Sequence, residues 1–431
     1  MSEETKVIPK PKPMTEYGDT GLKRQSGFIF EEFLRELKNE RAICVYKEMS
    51  QNDALVGAIL YAINMVIRNV DWRIDAASTE KADLEASEFL WECMHDMEHT
   101  WDGFIDEALS MLVYGWSYHE IVYKRRLGMS KDKTKNSKYS DGRIGWRKLP
   151  IRSQDSWSEW TFEENGDLLA MTQLAPSDYT YRTIPVSKAL HFRTSGHKNN
   201  PEGKSLLRTA YRSYYMKTRI ENIEGIGVER DLAGLPMFWV PAEIMAEDAS
   251  DSDKALLRHY KQTIKNIKRD EQEGLIMPLA LDENGNKMYD FELVSTGSRR
   301  QFDTNAIIGR YDRNIAMSVL ADFILLGHEK VGSFALSSSK TDIFALSVGA
   351  ILENLKAVIN SKAVPQLFAL NGIKVDKLPI IETGDIETQD IDMLGRFIQT
   401  ASAAGMELFP DNDLENHVRR QVGFPEKKDE E

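Results

Sequence analysis

Between Gly203 and Ala350 the apolar positions recur in two long runs that bracket a short, differently patterned insert. The first run carries Leu206, Leu207, Ala210, Tyr214, Met216, Ile220, Ile223 and Ile226. It starts after Asn199-Asn200-Pro201-Glu202-Gly203 and stops at Ala233-Gly234-Leu235-Pro236. Near-helical spacing predicts a long helix, and the glycine and proline predict its end. The second run, from about Arg299 to Phe323, carries Phe302, Ala306, Tyr311, Ile315 and Val319. Between them, Met237-Phe238-Trp239-Val240 predicts a strand. Asp251–Gln272 predicts an amphipathic helix with Leu256, Leu257, Tyr260, Ile264 and Ile267 on one side, and Gly274–Leu279, which contains Ile276, a second strand. Two rods that leave and return around a compact insert describe a stalk carrying a knob. With no domain pattern wrapped around it, the apolar side of the stalk favours burial against another copy.

The rest of the chain mixes both periods. Residues 1–27 are polar, with Pro9, Pro11 and Pro13 alternating with lysines, and predict an arm that is flexible or ordered only by a neighbour. Helices are predicted at Phe28–Tyr46, Asn52–Val70, Asp83–Met97 and Trp101–Val113, with strands at Asp71–Asp75 and Glu120–Tyr123. The cation-rich Lys124–Gly142 predicts a solvated hairpin loop. Further strands are predicted at 146–149, 157–162, 168–174 and 189–192, separated by turns such as Asn165-Gly166. No regular strand–helix–strand alternation appears, so the first part is α+β and not a dinucleotide-binding fold. After the second rod, Gly327–Ser339 is rich in small residues and predicts a mobile loop. Lys340–Lys362 predicts a helix with Phe344, Val348, Ile351, Leu355 and Val358 in period, kinked or restarted at Pro365 and ended at Asn371-Gly372. Val375–Ile381 is strand-like, and Asp390–Ala404 and Asp411–Val422 predict short helices before a charged tail.

A length of 431 residues suggests roughly three domain-sized units, large enough to bury real cores. The net charge of −13 argues against a generic nucleic-acid binder, because tight phosphate binding requires a basic surface. No apolar run of membrane-spanning length and no secretory leader are evident, so no membrane is expected. Cys44 and Cys93 fit a reducing compartment without a disulfide framework.

Three motifs invite a catalytic reading. Gly203-Lys204-Ser205 opens a helix, but a phosphate-binding loop needs a glycine five residues before the second, and Lys198 stands there. His95-Asp96-Met97-Glu98-His99 matches a zinc peptidase pattern, which requires both histidines on one helix face. Ser337-Ser338-Ser339-Lys340 lacks the partner motifs of acyl enzymes, and a helix-capping serine is the plainer expectation. No acid–base pair is assembled, so neither catalytic residues nor a cofactor or metal is assigned.

Several stretches, taken in order over roughly residues 28–425, resemble the portal proteins of tailed phages, in the branch similar to Mu. Val56-Gly57-Ala58-Ile59 through Val70-Asp71-Trp72-Arg73-Ile74 is similar to that family's early helix and tryptophan strand. Tyr114-Gly115-Trp116-Ser117-Tyr118-His119-Glu120-Ile121-Val122-Tyr123 resembles its glycine–glutamate signature. His191-Phe192-Arg193 with Gly203-Lys204-Ser205-Leu206-Leu207-Arg208 resembles the entry to its stem helix, and Ile315–Gly327 the helix before its tunnel loop.

The resemblance implies a portal fold: a mixed α/β wing at 28–200 with a long helix and strand at 340–384, a two-helix stem at 201–234 and 291–326, a clip at 235–290, a tunnel loop at 327–339 and a helical crown at 385–431. It implies a ring of about twelve copies at one capsid vertex, a channel for packaging and ejecting double-stranded DNA. Implied partners are further copies of the chain, the terminase large subunit, a head–tail adaptor, the major capsid or scaffolding protein, and DNA without sequence specificity. The implied location is the virion, with the host cytoplasm during assembly. Lys330, Lys340, Lys204, Arg208, Arg212, Lys217 and Arg219 are the channel candidates, each weighed against pairing with Glu221, Glu224 or Glu229. Phe238, Trp239, Val240, Leu256, Tyr260, Ile264 and Ile276 are the clip and assembly candidates. Another head–tail structural protein, or a zinc peptidase using His95, Glu98 and His99, is the alternative.

Overall fold

The computed structural model describes residues 20–163, 166–176, 178–233, 235–268, 290–294, 303–319, 321 and 334–384. The chain forms two compact units, Arg212–Asn314 and the remainder. The fold is mixed α+β.

In the larger unit, β1 (Arg24–Gln25) and β2 (Phe28–Ile29) make a small antiparallel hairpin. Its flanking Leu22 and its own Ile29 are buried, so residues 20–27 pack onto the unit. The helix anticipated from Phe28 begins only at Glu40: α1 spans Glu40–Asn52, after Asn39 with φ 52°. Phe28 meets the Trp157 ring edge-on at 5.7 Å, so the apolar residues here serve the hairpin and not a helix face. Asp53 then caps α2 (Ala54–Arg68), accepting from the amides of Leu55 and Val56, each at 3.0 Å. Next come β3 (Trp72–Asp75), α3 (Lys81–His95), α4 (Trp101–Ala108) and α5 (Ser110–Tyr114).

Seven strands follow: β4 (Trp116–Glu120), β5 (Val122–Arg125), β6 (Ile144–Lys148), β7 (Trp157–Phe162), β8 (Leu168–Leu174), β9 (Tyr181–Pro185) and β10 (Ala189–Arg193). β7, β8 and β9 form an antiparallel meander, β5 pairs with β6, and β4 pairs with the distant β10. The strand β9 was not anticipated; its Tyr181, Arg182 and Thr183 are exposed and give no apolar alternation. The segment after β5 corrects another expectation. Lys124 and Arg126 are buried and paired, so the first part of the cationic stretch anchors the loop instead of being solvated.

The second unit contains α6 (Tyr211–Ala233) from Arg212 on, β11 (Leu235–Trp239), α7 (Asp251–Lys268), β12 (Asp290–Val294) and α8 (Thr304–Ser318) as far as Asn314. β11 pairs antiparallel with β12, Phe238 opposite Phe291. The strand expected at Gly274–Leu279 lies outside the described residues. The partner found for β11 is the alternating Asp290-Phe291-Glu292-Leu293-Val294 instead.

Back in the larger unit, α9 spans Phe334–Val358. Residues 334–339, anticipated as the end of a mobile loop, are therefore helical, and Ser337–Ser339 lie inside α9 and do not cap it; 327–333 lie outside the described residues. A π-helical turn at Ile359–Ala363 leads into α10 (Val364–Asn371). Pro365, in the first turn of α10, has no N–H to return to the Ser361 carbonyl, which accounts for the irregular turn. Gly372, with φ 64°, ends α10, and β13 (Ile380–Thr383) pairs with β3. The anticipated C-terminal helices lie outside the described residues.

Two cores hold this unit. The larger joins Ile59, Ile63 and Ile67 of α2 to Phe89, Phe104, Phe192, Leu355 and Phe368. The smaller is aromatic, with Trp116, Tyr118, Trp157 and Trp160 around Met171. The stretch Ile343–Asn371 is long and apolar enough to cross a bilayer by length and composition, which the sequence reading missed. Its Leu352, Leu355, Ile359 and Leu367 are buried in the larger core, whereas Leu346 and Leu370 are exposed, so the stretch packs one side onto the core.

Candidate functional site

The channel and assembly candidates fall into three groups. At the entry to the first long helix, two glycines let two backbone segments touch. Gly115 has φ +94° and Gly203 φ +58°, and a Cβ on Gly203 would stand 2.2 Å from the Gly115 carbonyl oxygen. The same oxygen accepts from the Thr194 amide at 3.0 Å. Ser205 caps the next turn by accepting from the Leu207 amide at 3.0 Å. Gly203-Lys204-Ser205 is thus a backbone junction and has no glycine cradle for phosphate. Lys204 is exposed. Arg208 is clamped onto Glu32 by bonds of 2.5 and 2.9 Å and lies over the Phe33 ring at 5.2 Å. That pairing was not foreseen, because Glu32 lies 176 residues upstream.

Nearby, burial raises the Glu202 carboxyl to about 7. Buried His119 donates from Nδ1 to the Leu149 carbonyl at 2.9 Å, and burial lowers its pKa to about 4. His191 donates from Nε2 to the Pro201 carbonyl at 2.8 Å and is lowered to about 3, again mainly by desolvation.

The second group lies on α6 and α8. Lys217 is buried and meets Asp312 at 2.7 Å, with Glu221 at 4.0 Å on its own helix. About two turns further along the same face, Thr304 donates to Glu224 at 2.5 Å. The order of these two contacts, 217 with 312 and 224 with 304, runs the helices antiparallel. Arg212 and Arg219 are exposed, the latter over the Tyr215 ring at 4.7 Å. Tyr215, Met216, Ile223 and Ile226 are exposed too, Ile223 at 63%. Lys330 lies outside the described residues. Lys340 lies on the helical backbone of α9, and its side chain is outside the description.

The third group is the insert. Phe238 stacks on buried Tyr260 with centroids 4.8 Å apart and planes at 21°. Val240 and Leu256 are half-buried, whereas Trp239 is 56% exposed. Ile264 lies on α7 with its side chain outside the description, and Ile276 lies outside the described residues.

The zinc pattern does not assemble. α3 ends at His95 and α4 starts at Trp101, so His95 and His99 share no helix. His95 stacks on Trp91 and bonds its carbonyl at 2.8 Å. Glu98 pairs with Arg147 at 2.6 Å, and His99 accepts from the Leu149 amide at 3.4 Å. Burial lowers the His99 pKa. Among the described residues no group of three His, Cys, Asp or Glu could hold a metal ion.

A family model described as the portal protein of Mu bacteriophage matches residues 43–424. No curated protein matches the chain. Among solved structures, a chain in the virion of a native gene transfer agent particle aligns with TM-score 0.50 and 11% identity, over 89% of this chain and 94% of that one. A chain in the neck of an empty gene transfer agent particle aligns with TM-score 0.50 and 12% identity, over the same 89% and 94%. An HK97-family phage portal protein from Corynebacterium diphtheriae aligns with TM-score 0.39 and 12% identity, over 79% and 94%. At such identities a structural likeness speaks for the fold alone.

Proposed function

The chain belongs to the portal protein family of Mu bacteriophage, and from that premise we propose that about twelve copies assemble into a ring around a channel for double-stranded DNA at one capsid vertex. The observation that carries this reading is the antiparallel pair α6 and α8. It is tied internally by Lys217–Asp312 and Thr304–Glu224, yet α6 leaves Met216, Ile223 and Ile226 exposed. An apolar face of that kind is stable when an identical neighbour covers it. The family is structural, and we assign the chain no enzymatic role.

At 100° per residue, Tyr215, Met216, Ile223 and Ile226 fall within roughly 100° of the α6 circumference, and Arg212 and Arg219 fall inside the same arc. We therefore assign those two arginines to the seam between copies. Arg208 and Lys217 are held by carboxylates of their own chain. The proposed contacts with DNA are Lys204, Lys330 and Lys340, non-specific and screened by salt. With about twelve copies at −13 each the ring carries on the order of −156, which keeps sliding DNA from being gripped. The boundaries proposed for wing, stem, clip, tunnel loop and crown are those anticipated from the sequence, except that the tunnel loop ends at 333, before α9. The knob, with Trp239 exposed beside the Phe238–Tyr260 stack, is the proposed docking part for the terminase motor and the head–tail adaptor.

Negative-stain images of the purified protein test the ring directly: closed rings are expected. A monomer at high concentration and in particles alike would refute it. Lys330→Glu is expected to impair packaging or retention of DNA while rings persist; unchanged packaging would remove the tunnel-loop role.

A further inference from the structure

Two helices of the larger unit are apolar on sides that stay exposed. α2 buries Val56, Ile59, Ile63 and Ile67. Of its fifteen residues only Tyr61, Asn64 and Arg68 carry a polar group on the side chain. At 100° per residue, Ala54, Ala58, Tyr61, Met65 and Arg68 share an arc of roughly 80° opposite that buried set. All five are exposed, Tyr61 at 68%. α9 repeats the pattern. Ile343, Leu346, Ala350, Glu353 and Ala357 share a second arc of roughly 80°, opposite the buried Phe344, Val348, Leu352 and Leu355. These five are exposed too, Leu346 at 70%. A helix apolar on all sides belongs in an interior. Each arc carries a single charge, Arg68 on α2 and Glu353 on α9.

We propose that the α2 arc of one copy packs on the α9 arc of the next, as a second seam of the assembly; the inference rests on the reading that identical copies associate. Three observations select that occupant. The exposed apolar side chains of α6 offer on the order of 400 Å², about half of the roughly 800 Å² per partner that a standard interface buries, so the α6 seam needs further surface. The two arcs also complement each other. Laid parallel with Ala54 beside Ile343, they put Ala58 next to Leu346 and Tyr61 beside Ala350, so large side chains face small ones. The same alignment brings Arg68 within about one turn of Glu353, whose exposed carboxylate retains an oxygen beyond its 2.7 Å contact with Lys356. Finally, the arcs open on different sides of the unit. α9 is flanked by α2 as well as by β10 and β13, so its open side faces away from α2, as a head-to-tail contact between copies requires. A lipid surface is the other apolar partner to weigh. Helices that lie on one carry several cations along a polar face, whereas α2 has no polar face and one cation, at its last residue.

The test uses the full chain. A Cys44→Ser background removes the exposed thiol and leaves buried Cys93. Tyr61→Cys and Ala350→Cys are introduced there together and treated with a short bis-maleimide. A ladder of covalent multimers is expected from the double variant, and dimers alone from an equimolar mixture of the two single variants. Absence of the ladder, or dimers from Tyr61→Cys by itself, overturns the proposal. Tyr61→Glu with Met65→Glu is expected to leave the urea midpoint of the monomer unchanged, since both side chains are exposed, and to weaken self-association at least about tenfold in sedimentation. Rings that form in this variant as in the parent overturn this seam alone and leave the α6 seam standing. A parent that stays monomeric removes the ring and this seam together. Binding of the parent to vesicles of phosphatidylglycerol and phosphatidylcholine that the variant loses, with self-association unchanged, assigns the arc to lipid and overturns the proposal.

Discussion

Gly203→Ala is expected to destabilise the larger unit by about 3–5 kcal/mol. Three costs add. A side chain at φ +58° costs about 1–2 kcal/mol. The new Cβ would stand 2.2 Å from the Gly115 carbonyl oxygen, so the two segments must part by about 1 Å and lose the packing between them. Parting them also weakens the bond from the Thr194 amide to that carbonyl, worth about 1 kcal/mol. Gly115→Ala should be as harmful, since its φ is +94° and its Cβ would meet the Glu202 carbonyl at 2.4 Å. The double variant should cost clearly less than the sum, because the first substitution has already opened the junction. Gly196→Ala is the control: nothing lies within 4 Å of its Cβ and its φ is −97°, so a change within about 0.5 kcal/mol is expected. Seven of the eight tryptophans lie in this unit, so tryptophan emission during urea unfolding reads it selectively. A Gly203→Ala protein within 0.5 kcal/mol of the parent, or as mild as the Gly196 control, would refute the reasoning.

Four further outcomes follow from the same geometry. Because burial holds His119 near 4 while the unfolded imidazole titrates near 6.5, its stabilising contribution is lost as pH falls from 6.5 towards 4; at pH 5 the loss is about 2 kcal/mol, and His119→Phe should flatten that part of the urea-midpoint profile. Glu202 acts oppositely, with a folded pKa near 7 above the unfolded carboxylate value, so its contribution is lost as pH rises from about 4.5 to 7, and Glu202→Gln should make the parent's acid-side decline steeper. Asp96→Ala should cost about 3–5 kcal/mol and loosen residues 127–142 in limited proteolysis, since it strands Lys124 in a buried ion pair of 3.0 Å and removes the acceptor of Ser137 Oγ at 2.6 Å. Lys217→Met should quicken hydrogen exchange along α6 and α8, whereas Arg212→Ala should leave it unchanged.

What the sequence reveals follows from how local its signals are. The long helices and the stop at Gly372 rest on neighbours within one or two turns, and they can be read directly. Along α9 and the π-helical turn after it the apolar period is legible: Phe344, Val348 and Leu355 are buried in the larger core, while at two positions Leu352 and Ile359 are buried and their neighbours Ile351 and Val358 pack at the rim. Two adjacent apolar residues leave the choice to tertiary packing. The buried Lys124 and Arg126 were misread because charge runs look alike until a partner is seen; theirs, Asp96, Glu92 and Asp141, include residues some thirty positions upstream. The Gly115–Gly203 contact had a local trace in both glycines, but nothing in either neighbourhood names the other.

The channel candidates divide by face, and the division makes an experiment possible that composition alone could not suggest. Lys217 and Glu224 share the side of α6 that meets α8. Arg212 and Arg219 sit among Met216, Ile223 and Ile226 on the other side, while Glu221 lies roughly 160–180° around the helix from them. In a ring each copy presents one face to the next copy's opposite face, so Glu221, about half exposed at the edge of the α8 side and 4.0 Å from Lys217, is the carboxylate available to the next copy's arginines. If the arc is the seam, Arg219→Glu sets like charges opposite each other, and rings should fail in negative stain. Restoring the opposite sign with Glu221→Arg in the same chain should bring rings back, with a coupling of about 1 kcal/mol or more per interface. Arginines that instead faced DNA would give another result: Arg219→Glu would form normal rings that package poorly, and the second substitution would rescue nothing. An arginine among exposed isoleucines gains little from a water-filled bore and much from a neighbour that covers the isoleucines and supplies a carboxylate, so rescue is the outcome expected.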